Sequence, residues 1–305
     1  MHNTVIFDIG QVIISWVPQR AFEQVMPADE VPAFMARIGF AEWNHANDAR
    51  PDTTAATEEL AALHPEDADG IRAYVEHFGA TITDPVPGTA ALIAELQAAG
   101  VTVGALTNWA GDTFQVAPPM HGVLRRLSDI VVSGLEGVTK PQPEIFQLAC
   151  TRLGVDPAEA VFVDDSLPNV EGAAAIGMTG IHFRSAEQVR DELVALGLLG
   201  PRVPVDEPFY HWALVDRWRE AQQTGSYPWS SREAGLNDEG FVHGSFAHQV
   251  ADTRARFYGD LADDAVVLLR LDPSPELPIL VEGGFPHLYA PLPVRAMTEV
   301  VDPIS

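Results

Sequence analysis

The chain has 305 residues, a length typical of two domains of about 100–200 residues each. Apolar residues make up 47% and charged residues 20%, a balance that excludes wholesale disorder. The formal net charge of −25 repels phosphate backbones and anionic lipid, so we expect neither nucleic acid nor a membrane as a partner. Nothing in the composition indicates a protein partner.

Cysteine content and hydropathy indicate the compartment. The single cysteine, Cys150, excludes an intramolecular disulfide framework. No apolar run reaches the length of a membrane span, and no basic flank of the signal-peptide type precedes the first predicted strand. These features predict a cytoplasmic protein.

Short apolar runs alternate with helical patterns in the first 200 residues. Continuous apolar runs are typical of strands that are buried on both faces of a parallel sheet. The pattern predicts an α/β fold with a Rossmann-like, doubly wound parallel sheet. The predicted strands are 5–7, 101–106, 130–132, 161–163 and 181–183, and the clearest helices are 89–99 and 143–153.

Residues 16–83 interrupt this alternation. They are predicted to be helical at 19–25, 31–38, 54–63 and 68–78, without a strand. We expect this insertion to form a helical cap over an active site. The alternative is a helical elaboration of the scaffold.

A proline-rich stretch at 200–208 is the predicted linker between two domains. We expect a first domain at 1–203, with a core at 1–15 and 84–203, and a C-terminal α+β domain at 206–305. Within the second domain, the pattern predicts strands at 209–214, 241–245 and 265–271 and a helix at 247–258.

Polar side chains follow three of the predicted parallel strands: Asp8 after the first, Thr107 and Asn108 after the second, and Asp164 and Asp165 after a later one. In an open parallel sheet, ligands bind beyond these carboxyl ends. Three carboxylates cannot all stay ionised at one point without a cation, so the sequence predicts an oxygen-ligated Mg²⁺.

Lys140 is the single lysine in the chain, and it lies just before a predicted helix. Since every other basic residue is arginine, we expect this position to need a compact ammonium group. A hydroxyl, an amide and an ammonium beside a metal match the oxygens of a phosphoryl group.

At these residues the chain resembles the haloacid dehalogenase-like hydrolase superfamily over about residues 1–200. Four motifs carry the resemblance, in order: Phe7-Asp-Ile-Gly-Gln-Val12, Leu106-Thr-Asn108, Lys140-Pro-Gln-Pro-Glu-Ile-Phe146 and Val163-Asp-Asp-Ser-Leu-Pro-Asn169. The resemblance implies a Rossmann-like core, an aspartate nucleophile and Mg²⁺-dependent hydrolysis of a small phosphorylated metabolite. The insertion lies where one large subgroup has its helical cap.

The resemblance also implies the role of each matched residue. Asp8 would attack phosphorus and form an aspartyl-phosphate. Asp165, helped by Asp164, would ligate Mg²⁺ together with Asp8 and the backbone carbonyl of Gly10.

The remaining matched residues would contact the phosphoryl group or support the site. Thr107 and the backbone of Asn108 would bind the phosphoryl group, and Lys140 would neutralise its charge and hold Asp8 in place. Asn169 would orient the metal-binding loop or cap the helix that follows it.

The sequence departs from the family at Gly10, where most phosphatase members carry the aspartate that protonates the leaving group. The general acid is therefore unassigned, and Asp48 and His45 in the insertion are candidates. Without such an acid, turnover would depend steeply on the leaving group. A flat dependence would instead indicate a proton donor in the cap.

Two alternative functions remain. Asp8 could displace halide from a 2-haloacid, a reaction that needs no acid and so agrees with Gly10. The Asp164-Asp165 pair argues against this, because displacement at carbon needs no metal. A catalytically weak binding or regulatory module is the other alternative.

The C-terminal region, about 209–302, resembles a small bacterial family of unknown function that has been likened in fold to ADP-ribosyl-transferring enzymes. The resemblance rests on three segments: Phe209-Tyr-His211, Glu239-Gly-Phe-Val-His-Gly-Ser245 and Phe285-Pro-His-Leu-Tyr-Ala-Pro-Leu292. Several polar residues could line a nucleotide or sugar pocket there, or could instead satisfy backbone groups in turns. They are His211, His243, Ser245, Glu282, His287 and Tyr289.

Overall fold

Strands and helices alternate in the first 201 residues, as predicted. The computed structural model describes residues 2–201, 205–274 and 277–300. Residues 202–204 of the predicted linker therefore lie outside the described residues. In chain order the first region contains β1 (Thr4–Phe7), β2 (Ile14–Trp16), α1 (Gln19–Phe22), α2 (Val31–Arg37), α3 (Phe40–Asn47), α4 (Thr54–Leu63), α5 (Ala68–Glu76), β3 (Ile82–Pro85), α6 (Thr89–Ala98), β4 (Thr102–Thr107), α7 (Gly111–Phe114), α8 (Ala117–Met120), α9 (Gly122–Arg125), β5 (Ile130–Val132), α10 (Ser133–Glu136), α11 (Pro143–Leu153), β6 (Ala160–Asp164), α12 (Leu167–Ala175), β7 (Thr179–His182) and α13 (Ala186–Ala195), with 3-10 helices at Phe78–Thr81 and Pro157–Glu159.

Five of these strands form one parallel sheet in the order β5-β4-β1-β6-β7. The central strand β1 pairs with β4 and with β6, so that Thr4 lies beside Thr102 and Ala160. Val5 and Phe7 point into one apolar cluster and Ile6 into another, so both faces of the sheet are covered. The doubly wound α/β fold is confirmed. The direction of winding reverses beside β1, which places a ligand crevice at the carboxyl ends of β1, β4 and β6.

The insertion lies between β2 and β3. These two short strands pair antiparallel, with Trp16 opposite Ile82. The prediction of no strand within 16–83 is therefore wrong at both ends, because this ribbon forms the connection to the core. The insertion also contains a helix that periodicity missed, α3, whose apolar side chains are few. Aromatic residues of the insertion, among them Phe22, Phe40 and Tyr74, belong to the same apolar cluster as the core of the sheet.

The C-terminal region is built from two small antiparallel sheets, which confirms the α+β pattern. It contains β8 (Phe209–Leu214), α14 (Val215–Thr224), α15 (Leu236–Glu239), β9 (Val242–His243), α16 (Val250–Tyr258), β10 (Val266–Leu271), β11 (Ile279–Glu282), β12 (Phe285–Leu288) and β13 (Thr298–Glu299), with 3-10 helices at Ala247–Gln249, Asp263–Ala265 and Val294–Ala296. The sheet orders are β13-β10-β8 and β11-β12-β9. Among the described residues, no helix is both long and apolar enough to cross a membrane.

Candidate active site

The carboxyl ends of β1, β4 and β6 bring the predicted site residues together. Lys140 precedes α11, and its side chain lies between the carboxylates of Asp8 and Asp164. Its Nζ lies 2.6 Å from Asp8 Oδ1 and 2.6 Å from Asp164 Oδ2, and it donates a third hydrogen bond to the Leu106 carbonyl at 3.1 Å. Lys140 is only 2% exposed. The three hydrogen bonds use all the donors of the ammonium group, so its position is fixed.

Burial and charge act against each other in this cluster. Burial raises the pKa of Asp8 to about 7, with a further increase from Asp164, although Lys140 acts to lower it. For Lys140, burial acts to lower the pKa, but the two carboxylates raise it above its ordinary value. Two buried carboxylates share one ammonium, so the cluster keeps a net negative charge that favours a further cation.

Asp164 is held by three hydrogen-bonding partners. It is fully buried, and besides Lys140 it accepts hydrogen bonds from the Ser166 backbone N–H at 2.8 Å and from the Asn169 amide at 3.1 and 3.2 Å. Asn169 lies within the first turn of α12 and bonds this carboxylate. The structure thus places Asn169 as a positioning residue of the loop and not as the cap of the helix.

Asp8, Asp164 and Asp165 form an acidic cluster that could hold a metal ion. One carboxylate oxygen of each lies within 4.8 Å of the others, and Asp165 is exposed. This all-oxygen set of ligands suits a hard cation such as Mg²⁺. Gly10 follows Asp8 by two residues, in a loop where Gln11 has a left-handed backbone, with a φ of 60°.

The second strand end contributes Thr107 and Asn108. Thr107 is buried and lines the same cavity as Asp8 and Lys140. The Asn108 side chain donates to the Lys140 carbonyl at 3.0 Å and accepts from the Lys140 N–H at 2.8 Å. Its side chain therefore positions Lys140 through two hydrogen bonds.

These residues form the floor of a cavity of about 240 Å³. The opposite wall comes from the insertion and carries the candidate Asp48 together with aromatic and amide side chains that were not predicted from the sequence. The lining from this wall includes Trp16, Trp43, Asn44, Asn47, Asp48, Thr53 and Tyr74. The sequence signal for them was the presence of two tryptophans within 16–83, but a tryptophan in a helix is also typical of a core.

The insertion is fastened to the sheet domain beside this cavity. Asp112 accepts hydrogen bonds from the Thr53 N–H at 2.8 Å and the Thr53 hydroxyl at 2.7 Å. Gly111 donates its N–H to the Arg50 carbonyl at 2.9 Å. A Cβ at Gly134 would lie 2.5 Å from the Arg50 carbonyl oxygen, so only glycine permits this close approach. In this arrangement the insertion covers the floor of the cavity.

The C-terminal candidates fall into two groups. His243, His287 and Tyr289 come together around Phe241, whose ring stacks on His287 at 4.1 Å. His211 instead lies buried beneath them and bonds the His243 carbonyl at 2.8 Å. Ser245 is likewise buried and bonds Thr253 at 2.9 Å.

Glu282 links the first group to the sheet domain. It accepts hydrogen bonds from His287 at 2.9 Å, from Tyr289, and from Arg126 at 2.8 Å. Arg126, which follows α9, also donates to the Tyr289 hydroxyl at 2.6 Å. Three donors on one carboxylate lower the pKa of Glu282 to about 2, although burial acts to raise it. No motif or periodicity indicated that Arg126, 156 residues before Glu282, would donate to it.

Strand-end carboxylates around a buried lysine, at the crevice of a doubly wound sheet, define an α/β enzyme. The sequence model of the family described as haloacid dehalogenase-like hydrolase matches residues 2–177, and the chain belongs to this family of hydrolases. Residues 213–300 match the model of a family of proteins of unknown function, DUF952. Both resemblances expected from the motifs are confirmed.

The chain is also similar to several curated proteins. Acyl-CoA dehydrogenase family member 10 of Mus musculus is 30% identical over 212 residues, which cover 64% of this chain and 19% of the mouse protein. A phosphatase of Mycobacterium tuberculosis is 28% identical over 63% of this chain and 92% of its own length. An (S)-2-haloacid dehalogenase of Burkholderia cepacia is 30% identical over 42% of this chain and 55% of its own length. The chain thus spans about half or less of the mouse and Burkholderia proteins.

Proposed function

We propose that the protein is a Mg²⁺-dependent phosphatase that hydrolyses a small phosphorylated metabolite through an aspartyl-phosphate on Asp8. The observation that carries the proposal is the Lys140 ammonium, held 2.6 Å from both Asp8 and Asp164 beside an exposed third carboxylate. A hydrolase with an uncharged substrate has little use for a buried lysine within an acidic cluster. Transfer of a dianionic phosphoryl group needs both a carboxylate that attacks phosphorus and an ammonium that offsets the charge of the phosphoryl oxygens.

In this proposal the chain's own residues divide the work. Asp8 attacks phosphorus with the carboxylate oxygen that Lys140 does not hold. Lys140 fixes the rotamer of Asp8 and offsets the charge of the phosphoryl oxygens. The Thr107 hydroxyl donates a hydrogen bond to one of these oxygens, and the backbone N–H of Asn108 donates to another.

Asp8, Asp165 and the carbonyl of Gly10 would hold Mg²⁺, with Asp164 beside them, and the metal would offset the repulsion between Asp8 and an anionic substrate. Asp164, already hydrogen-bonded to Lys140, Ser166 and Asn169, supports the floor of the site by keeping the ammonium in place.

In this proposal residues 1–203 and 206–305 are two domains, and residues 16–83 form a cap whose residues select the organic group.

The size and chemistry of the cavity bear on the class of substrate. A cavity of about 240 Å³ suits a small sugar, nucleotide or acid phosphate, and its aromatic and amide wall offers stacking and hydrogen bonds. In this proposal the enzyme acts in the cytoplasm.

A haloacid dehalogenase is the second candidate, favoured by Gly10 and by the Burkholderia relative. Against it, Asp8 and Asp165 both line the cavity, and they would repel the carboxylate of a haloacid.

One experiment separates the two functions. The full-length protein is incubated with a panel of sugar, nucleotide and acid phosphates and with 2-chloropropionate, with Mg²⁺ or with EDTA. Phosphate release that needs Mg²⁺ is expected. Chloride release that is insensitive to EDTA would establish the dehalogenase instead, and release of neither ion would leave a binding module.

A further inference from the structure

Asp48 lies opposite the nucleophile, in the wall that the insertion contributes. Among the described residues, three carboxyl side chains line the cavity: Asp8, Asp165 and Asp48. The first two belong to the acidic cluster on the floor. Asp48 follows α3 and lines the cavity from the insertion, so among these three it is the carboxyl group outside the acidic cluster.

The position of Asp48 is fixed by the sheet domain. Its backbone carbonyl accepts a hydrogen bond from the Ser133 hydroxyl at 2.5 Å, and Ser133 Oγ in turn accepts one from the Trp109 N–H at 2.9 Å. Trp109 follows Thr107 and Asn108 in the chain. Asp48 is therefore coupled by two hydrogen bonds to the segment that contacts the phosphoryl group in the proposed function.

The environment of Asp48 suits a carboxyl group that gains and loses a proton. Its side chain is 14% exposed, and burial raises its pKa to about 6. The charges of His45, with Nδ1 3.4 Å from Asp48 Oδ2, and of Lys140 act in the opposite direction. A general acid is most effective when its pKa lies near the working pH.

Two other titratable groups of the cavity, Tyr74 and Lys140, are already committed. The Tyr74 hydroxyl donates to Asn44 Oδ1 at 3.0 Å, and burial raises its pKa far above the ordinary value. Lys140 uses its three donors on Asp8, Asp164 and Leu106. Gly10 has no side chain to offer.

We propose that Asp48 is the general acid and base of the reaction, in place of the carboxyl group that Gly10 lacks. This inference rests on the proposed phosphatase function. In the first step Asp8 forms a bond to phosphorus, the bond to the leaving oxygen breaks, and that oxygen takes the proton of Asp48. In the second step a water molecule gives a proton to the Asp48 carboxylate and its oxygen to phosphorus. The bond between phosphorus and Asp8 then breaks, which releases phosphate and restores both carboxyl groups.

The test compares leaving groups of different basicity. Ethyl phosphate releases an alkoxide that needs a proton, and 4-nitrophenyl phosphate releases a phenolate that does not. In Asp48→Asn, kcat/KM for ethyl phosphate is expected to fall by roughly 10²–10⁴-fold, the usual contribution of general acid catalysis. For 4-nitrophenyl phosphate the loss in the first step is expected to stay below roughly 10-fold, measured as the burst of 4-nitrophenolate.

Two further variants sharpen the comparison. Asp52→Asn removes a carboxylate from the same segment that does not line the cavity, so it should leave both rates unchanged. Gly10→Asp in the Asp48→Asn background supplies an acid at the other position and should restore the ethyl phosphate reaction. A Cβ at Gly10 would meet nothing within 4 Å, and its backbone has no positive φ.

The outcomes are distinct. Equal losses on both substrates, or no loss on either, would overturn the assignment of Asp48, and so would the same selective loss in Asp52→Asn. Should Asp48→Asn fail to fold, as judged by its melting curve, Asp48→Ser provides the same comparison. If the wild-type protein releases no phosphate from either ester or from the wider panel, the phosphatase function itself is wrong.

Discussion

Asn108 and Lys140 hydrogen-bond to each other in both directions, amide to carbonyl at 3.0 Å and N–H to amide oxygen at 2.8 Å. This pair joins the end of β4 to the turn before α11. The Lys140 backbone is therefore fixed before its side chain reaches the carboxylates. Since the amide uses both its donor and its acceptor here, Asn108 holds the backbone from which the Lys140 side chain extends into the site.

Asp8→Asn should abolish turnover while leaving the fold intact, because the amide keeps the shape of the carboxylate but is not a nucleophile. We expect a loss of roughly 10⁴-fold or more in kcat, the scale seen when a covalent nucleophile is removed. Phosphate release measures the effect, and circular dichroism checks the fold. Residual activity above a thousandth of wild type would contradict the covalent mechanism.

Lys140→Arg should also damage catalysis. A planar guanidinium cannot replace a compact ammonium that is 2% exposed and donates to three oxygens. We expect a loss of at least roughly 10²-fold in kcat/KM, the usual effect of losing one fixed electrostatic donor. The matched control is Arg152→Lys, at a partly exposed ion pair with Asp129, which should leave turnover unchanged. Near-normal kinetics in Lys140→Arg would show that any cation suffices there.

The parallel sheet could be predicted because its strands are buried on both faces. Val161, Phe162 and Val163 are apolar in succession, whereas an amphipathic helix or a strand with one exposed face would have polar residues among them. The chemistry at the strand ends followed from the same step, since parallel strands bring their carboxyl ends to one edge. Asp8 and Asp164 are 156 residues apart in the chain, yet each lies at the carboxyl end of its strand.

Contacts between segments that are far apart in the chain could not be predicted in this way. Asp48 lines the cavity because the insertion docks through Thr53 and Arg50 onto the first residues of α7. Likewise, Arg126 meets Glu282 because the C-terminal sheets pack against α6, where Phe241 and Tyr289 contact Ala94. Such pairings depend on the shapes of two surfaces, and local periodicity carries no information about them.

Removal of the metal should abolish activity, and substitutions in the carboxylate cluster should weaken the binding of Mg²⁺. We expect EDTA to stop phosphate release and added Mg²⁺ to restore it. Asp165→Asn should raise the Mg²⁺ concentration for half-maximal activity at least roughly 10-fold, because even supporting residues of metal sites contribute that much. In wild type, Mg²⁺ should raise the melting temperature, an effect independent of turnover.

The control for this experiment is Asp191→Asn, an exposed carboxylate on α13 outside the cluster. It should leave the Mg²⁺ dependence unchanged. A wild-type melting temperature that does not respond to Mg²⁺, together with full activity in EDTA, would exclude a metal from the reaction.

His211 predicts how the stability of the C-terminal region depends on pH. Burial lowers the pKa of His211 to about 4 in the folded protein, from an ordinary value of 6.5. The unfolded chain therefore binds the proton more readily, so the free energy of unfolding is greatest above about pH 6.5 and falls as the pH decreases towards 4. At about 1.4 kcal/mol per pKa unit, the loss across this window is roughly 3 kcal/mol.

The geometry indicates which substitution isolates this effect. His211 Nδ1 donates to the His243 carbonyl, so Nε2 accepts from the Tyr227 hydroxyl at 3.1 Å. In His211→Gln a neutral amide can donate to the carbonyl and accept from the hydroxyl without titrating. We expect urea unfolding of this variant, followed between pH 7.5 and 4.5, to lose less stability than wild type by a difference that grows as the pH falls. His248→Gln, at an exposed histidine of the same region, should keep the wild-type slope. Parallel slopes for wild type and His211→Gln would mean that His211 is not buried in its neutral form.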